Sequence, residues 1–211
     1  MTKSITIAAL GLLAGATIAS ADTVSFADSP LREAGFTGGE FISNLSNGNS
    51  YRSFCLELNE LITINPNQTY SYTIDTVGAM AGGVSGGNPD PVSSASASIF
   101  VAWLDGSIAQ TMANSTAVQN AIWAIEGEVN AGSLSGAALA LYNDAVANYS
   151  TTDNAITDNA AFSSIRVLNP YRVNNDGSID RYQSQIILIP LPTASGMALA
   201  GLALVGTRRR R

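Results

Sequence analysis

The alternation of apolar and polar residues changes period twice along this chain. Between Thr23 and Thr76 it runs in short stretches, Thr23 to Phe26, Glu40 to Ile42, Tyr51 to Leu58 and Thr69 to Asp75. The last sets Tyr70, Tyr72 and Ile74 against Ser71, Thr73 and Asp75, a period of two that predicts half-buried β-strands. Asn44 to Ser50 and Asn65 to Asn67 carry turn-forming residues between them.

A glycine-rich stretch from Gly78 to Asp90, closed by Asn88-Pro89-Asp90-Pro91, ends that rhythm, and helical spacing follows. Ile99, Trp103 and Ile108 mark a first helical face, with the helix ending near Asp105-Gly106. Val118, Ala121, Ile122 and Ile125 fall on one face of a second helix, for which Asn114 or Ser115 is the expected cap. A third, capped by Ser133 or Ser135, carries Leu139, Leu141, Tyr142 and Val146. Ser150 to Asn159 reads as a polar loop, after which Ile165 to Tyr171 and Asp180 to Ile189 return to strands. Asn174-Asn175-Asp176-Gly177 between them favours a hairpin turn. Asn174, Asp176, Ser178 and Asp180 also alternate like calcium ligands, but Arg172 stands at the first ligand position and no glutamate closes the loop. The expected fold class is therefore α+β: an antiparallel β-sandwich or barrel with a helical insertion, in one domain spanning residues 22–189.

Both ends have a different character. Lys3, the apolar stretch Ile5 to Ile18 and the small residues Ala19-Ser20-Ala21 form a signal peptide over residues 1–21, cut by signal peptidase before Asp22. An uncleaved anchor is the weaker alternative, because the apolar stretch is short. At the other end Pro190, Leu191 and Pro192 precede an apolar helix and then Arg208, Arg209, Arg210 and Arg211. Hydrocarbon accepts the helix while four guanidinium groups remain in cytosolic water, which makes a membrane stop.

This arrangement over residues 190–211 resembles the PEP-CTERM sorting signal of Gram-negative bacteria, with Leu191 standing where the commoner motif has glutamate. The resemblance implies an exosortase that cleaves near the motif. It places the domain at the cell surface or in extracellular matrix, after transient anchoring in the inner membrane. A tail anchor that is never cut is the plainer alternative.

Removing both ends leaves five arginines against all sixteen acidic residues, a net charge of −11. Such a domain repels nucleic acid and anionic lipid. With no histidine and one cysteine, imidazole and thiolate metal clusters, histidine-based catalysis and internal disulfides are excluded. No cofactor, metal site or catalytic residue is expected.

Phe54-Cys55-Leu56-Glu57 and Val118-Gln119-Asn120-Ala121-Ile122-Trp123 resemble the two motifs of bacterial thioester domains, modules of surface adhesins. The resemblance spans residues 40 to 189, with identity concentrated in those motifs. It implies a bond between Cys55 and the Gln119 carbonyl, shielded by Phe54 and Trp123 and stabilised by free N–H groups where the second helix begins. An amine or hydroxyl on a surface or matrix partner would open the bond once, so the domain would be a covalent adhesin and not an enzyme. The competing reading takes Cys55 and Trp123 as core residues and Gln119 as a structural hydrogen-bonding group, in a noncovalent structural or glycan-binding matrix protein. Glu57 with Glu60, or Glu126 with Glu128, offers a glycosidase pair, although solvated faces or backbone partners suit them better. Tyr70, Tyr72, Tyr142, Tyr149, Tyr171 and Tyr182 suit cross-strand packing as well as sugar stacking.

Overall fold

The computed structural model describes residues 22–190, apart from 66, 81 and 86. The expected signal peptide and the tail from Leu191 to Arg211 lie outside the described residues, among which no helix is long and apolar enough to cross a membrane. Among the described residues seven strands are present: β1 (Thr23–Asp28), β2 (Phe41–Leu45), β3 (Ser50–Cys55), β4 (Tyr70–Asp75), β5 (Ile165–Val173), β6 (Ile179–Arg181) and β7 (Gln185–Leu188). Six close an antiparallel barrel in the order β1, β2, β3, β7, β5, β4, because β4 pairs with both β1 and β5. The seventh, β6, folds back on the end of β5. Helices α1 (Ser94–Leu104), α2 (Met112–Ile125), α3 (Gly136–Asn148) and α4 (Ala155–Asp158) lie between β4 and β5. The class is thus α+β, with a barrel and a helical insertion.

Period-two alternation gives the wall two apolar faces. Val24, Phe26, Leu45, Tyr70, Leu168 and Ile187 form the barrel interior. Phe54, Ile165, Val167 and Ile186 point the other way and pack with Ile99, Phe100 and Trp103 of α1 and Val118 and Ile122 of α2. The rings of Phe54 and Trp103 meet edge to face at 5.8 Å. Below them Glu40 is buried and its oxygens are met by donors: Trp103 Nε1 donates to Oε1 at 2.8 Å, and Ser29 Oγ and Arg52 Nε also donate to the carboxyl group. A buried carboxylate is tolerable only when its oxygens are met in this way.

Several local expectations change. The second helix is capped by Thr111, whose Oγ1 accepts from Asn114 N at 3.2 Å, and not by Asn114 or Ser115. Ser115 is buried and its Oγ accepts from Glu40 N at 2.9 Å. Ile108 lies beyond α1, although it packs against the same core. The loop from Ser150 holds one helical turn, α4, capped by Asn154. The third strand stops at Cys55 rather than Leu58, because Leu58 N turns to Glu128 Oε2 at 2.7 Å. The final strand is interrupted at Tyr182–Ser184, which separates β6 from β7. In the β5–β6 turn, Gly177 takes a φ of 83° and Asp176 Oδ1 accepts from Ser178 N at 2.9 Å, so that oxygen serves the hairpin. Tyr70 and Tyr182 pack at 4.6 Å and Tyr149 meets Phe162 at 5.7 Å, which accounts for three of the tyrosines.

Replacing Trp103 with Phe keeps most of the packing but removes a donor to Glu40. Urea unfolding should show a loss of about 1–3 kcal/mol, the usual effect of an under-satisfied buried polar group.

Candidate functional site: a buried cysteine between two glutamines

Cys55 ends β3, and β7 begins opposite it with Gln185, in register. Leu56 N donates to Ser184 O at 3.0 Å, so Cys55 and Gln185 form the neighbouring non-hydrogen-bonded pair. Side chains in such a pair share a face and approach most closely. Gln185 Nε2 donates to Cys55 Sγ at 3.3 Å, and the thiol donates to Gln185 Oε1 at 3.8 Å. Both residues are fully buried. Among the described residues, this long thiol contact is the only hydrogen bond that Gln185 Oε1 receives. A buried carbonyl so weakly met is a departure from ordinary cores.

Gln119 meets the backbone of Cys55 instead. Its Nε2 donates to Cys55 O at 2.8 Å, while its Oε1 accepts from Cys55 N at 3.0 Å and from Gly39 N at 3.3 Å. The β2–β3 ladder, which pairs Phe41 with Ser53, would next set Gly39 against Cys55. The strands part there, and the carboxamide fills the gap as a strand residue would. Gly38 must be glycine for this approach: a Cβ would lie 2.6 Å from both Gln119 Cγ and Trp123 Cη2. Gln119 sits well inside α2, which begins at Met112, so the helix N-terminus expected to stabilise an oxyanion is elsewhere. The two N–H groups on its oxygen come from Cys55 and Gly39.

Trp123, one turn further along α2, forms a buried cluster with Phe41 and Cys55, ringed by Phe36, Leu58, Ile64 and Val129. Its Nε1 donates to Glu57 O at 3.1 Å. Trp123 therefore packs in the cluster that holds Cys55. Phe54 does not, since alternation turns it to the helical side of the wall. Burial pushes the Cys55 thiol up to about 12, against weaker opposing pulls from the Gln185 hydrogen bond and the Arg32 charge. The sulfur therefore carries its proton near neutrality.

Of the candidate glycosidase pairs, Glu57, Glu126 and Glu128 hold backbone, while Glu60 Oε2 is buried with no hydrogen-bond partner among the described residues. Glu57 is buried and accepts from Gly82 N at 3.0 Å and Ser184 N at 2.7 Å, while its carbonyl accepts from Gln183 Nε2 at 2.5 Å. Its contact to Ser184 pins the residue before Gln185. Glu128 accepts from Leu58 N at 2.7 Å and Val84 N at 2.8 Å, and Glu126 accepts from Ser93 Oγ at 3.0 Å. Neither Glu57 nor Glu126 lies on a solvated face: the first is buried and the second half-buried. Together they peg the glycine-rich segment to the barrel and α2.

Gln185 escaped the sequence reading. Its signal was parity: it shares a strand face with Ile187, where a polar residue is unexpected, and register then sets it beside the cysteine. Compared with known proteins, the chain matches no family model, no curated protein and no solved structure.

Burial raises Glu126 from 4.5 to about 7, so the fold binds a proton there more tightly than the unfolded chain. That contribution is complete below pH 4.5 and is lost as pH rises to about 7. Glu126→Gln should flatten the fall in thermal midpoint across this window and raise the midpoint above it, as read by circular dichroism melts.

Proposed function

We propose that this is an exported, exosortase-processed surface or matrix protein whose barrel carries an internal thioester, and that it acts as a covalent adhesin. The observation that carries the reading is the contact between the buried Cys55 thiol and the Gln185 carboxamide. In the bond-forming step Sγ attacks Gln185 Cδ, the C–N bond breaks, and the thiol proton leaves with Nε2 as ammonia. Gln185 Nε2, which donates to Sγ at 3.3 Å, holds the carboxamide against the sulfur. Gln119 keeps the cysteine backbone in place. It is the less suitable acyl donor, since its carboxamide already makes three hydrogen bonds to backbone. An amine or hydroxyl of a partner then attacks Cδ, the C–S bond breaks, and the proton returns to sulfur. The partner is left on Gln185 as an amide or ester.

The export half rests on the two chain ends. Within the barrel, Pro190 leaves beside Ser50 and Tyr51 at the start of β3, while Cys55 lies at that strand's other end. A tether there holds the domain by the pole away from the sulfur. The noncovalent matrix protein keeps the scaffold without the bond.

Intact mass separates the two. The processed protein should weigh one ammonia less than its sequence and take up methylamine on the Gln185 peptide. Cys55→Ala and Gln185→Ala should each abolish both signals. A full mass with a thiol at Cys55 would sink the covalent reading, and methylamine on the Gln119 peptide would move the bond to that residue.

Deleting Arg208 to Arg211 should leave uncleaved precursor in the inner membrane on fractionation. Normal processing of the deletion would remove the sorting claim.

A further inference from the structure

The sulfur and both carboxamides are fully buried, so no nucleophile reaches them unless part of the cover moves. Most of the surrounding parts are fixed by regular structure: β2, β3 and β7 by ladders, α2 by its own turns and by α3. The connection from Ser29 to Gly39 is different. It forms no helix or strand, and Glu33, Ala34, Gly35 and Thr37 are exposed. Yet Phe36 closes on the cluster of Phe41, Cys55 and Trp123, with its ring 6.0 Å from that of Trp123. Gly38 and Gly39 lie against Gln119.

One side chain ties this connection down. The Arg32 guanidinium donates from Nε to Gly38 O at 3.0 Å, from a terminal nitrogen to Phe36 O, and from the other to Asp28 Oδ1 at 2.5 Å. It also stacks over the Phe41 ring at 4.9 Å, directly beside the cluster it closes. A planar fork meeting three acceptors at once is geometry that lysine cannot reproduce. The remaining ties outside the connection itself are a Thr116 Oγ1 bond to Glu33 at 2.9 Å, the Gly39 bond to Gln119 and that of Ser29 to Glu40, plus the packing of Leu31 and Phe36.

We propose that residues 30–38 are a lid over the Cys55–Gln185 pair, latched by Arg32, and that its opening controls when the buried site meets a nucleophile. This rests on the thioester reading for the chemistry that follows opening, but the lid itself concerns access to Cys55 alone. Phe36 is the plug, and Gly35, with φ of 81° and open space around it, is a turn that accommodates the movement. A partner that competes for the guanidinium, through a carboxylate of its own, would unlatch the lid where it docks. Storage and attack would then be linked.

The test uses the processed protein with and without Arg32→Lys, and Phe36→Ala as a second variant. Two rates are read: methylamine uptake by intact mass, and alkylation of Cys55 by iodoacetamide wherever a thiol is present. Either substitution should speed whichever reaction occurs by about tenfold or more, the scale of a lost charged hydrogen bond. The faster rate should stay flat at low urea, as local opening does, whereas access by global unfolding rises steeply with urea. Unchanged rates in both variants, or acceleration that tracks urea throughout, would overturn the lid. Faster alkylation with no methylamine uptake in any form keeps the lid and removes the thioester. Methylamine uptake at one common rate does the reverse.

Discussion

The Gln119 carboxamide occupies a place that backbone would ordinarily fill, and much of the fold is organised by that substitution. Where β2 and β3 part, Cys55 would expose an N–H and a C=O inside the protein, and an unmet pair of this kind is costly. Gln119 answers both and also takes the N–H of Gly39. Because it is anchored in α2, the contact fixes the helical layer to the barrel wall at one position. It also requires bare backbone at Gly38 and sets Trp123 in the cluster with Cys55 one turn later. Removing the carboxamide would leave three backbone partners unmet at once, so the site and the seam between layers depend on the same group.

Acidity is handled by a related economy of backbone. A domain with sixteen carboxylates and few cations cannot pair them by charge. Glu57, Glu126 and Glu128 are instead satisfied by N–H and O–H groups of the segment from Gly82 to Ser93 and its neighbours. The bonds hold a glycine-rich stretch that has little apolar surface with which to pack. Burial opposes the charge, which is why Glu57 and Glu126 both rise to about 7. Glu57 joins this frame to the Cys55–Gln185 pair, because its carboxylate pins Ser184 beside Gln185 and its carbonyl accepts from Trp123.

Strand period and helix spacing made the order of elements legible, since each depends on neighbours a few residues away. Boundaries were less so where a side chain competed with the ladder, as Thr111 did for the cap of α2 and Glu128 did for the end of β3. Cys55, Gln119 and Trp123 were found by local motif, and the structure gathers all three. Gln185 could not be found that way. Its proximity to Cys55 is set by the register of strands 130 residues apart, and barrel closure is a property of the whole sheet. Phe54 illustrates the opposite case: the resemblance implied a shield, but neighbours on a strand face opposite ways, and Phe54 packs on the helical side of the wall.

A carbonyl that is nearly unmet, a protonated sulfur and a dry surround would together be a poor choice for a core built only for stability. An apolar pair of similar volume would remove the polar mismatch between Cys55 and Gln185. The arrangement makes better sense if the contact is a ground state awaiting a bond. Forming it removes the thiol and the amide nitrogen together, and the dry surround that makes them uncomfortable then protects the acyl group from water. On this argument, stability and any reactivity at the barrel mouth would follow from one cause, the burial of the pair beside Trp123 and its neighbours, and whatever readmits solvent or a nucleophile there would set the lifetime of such a bond.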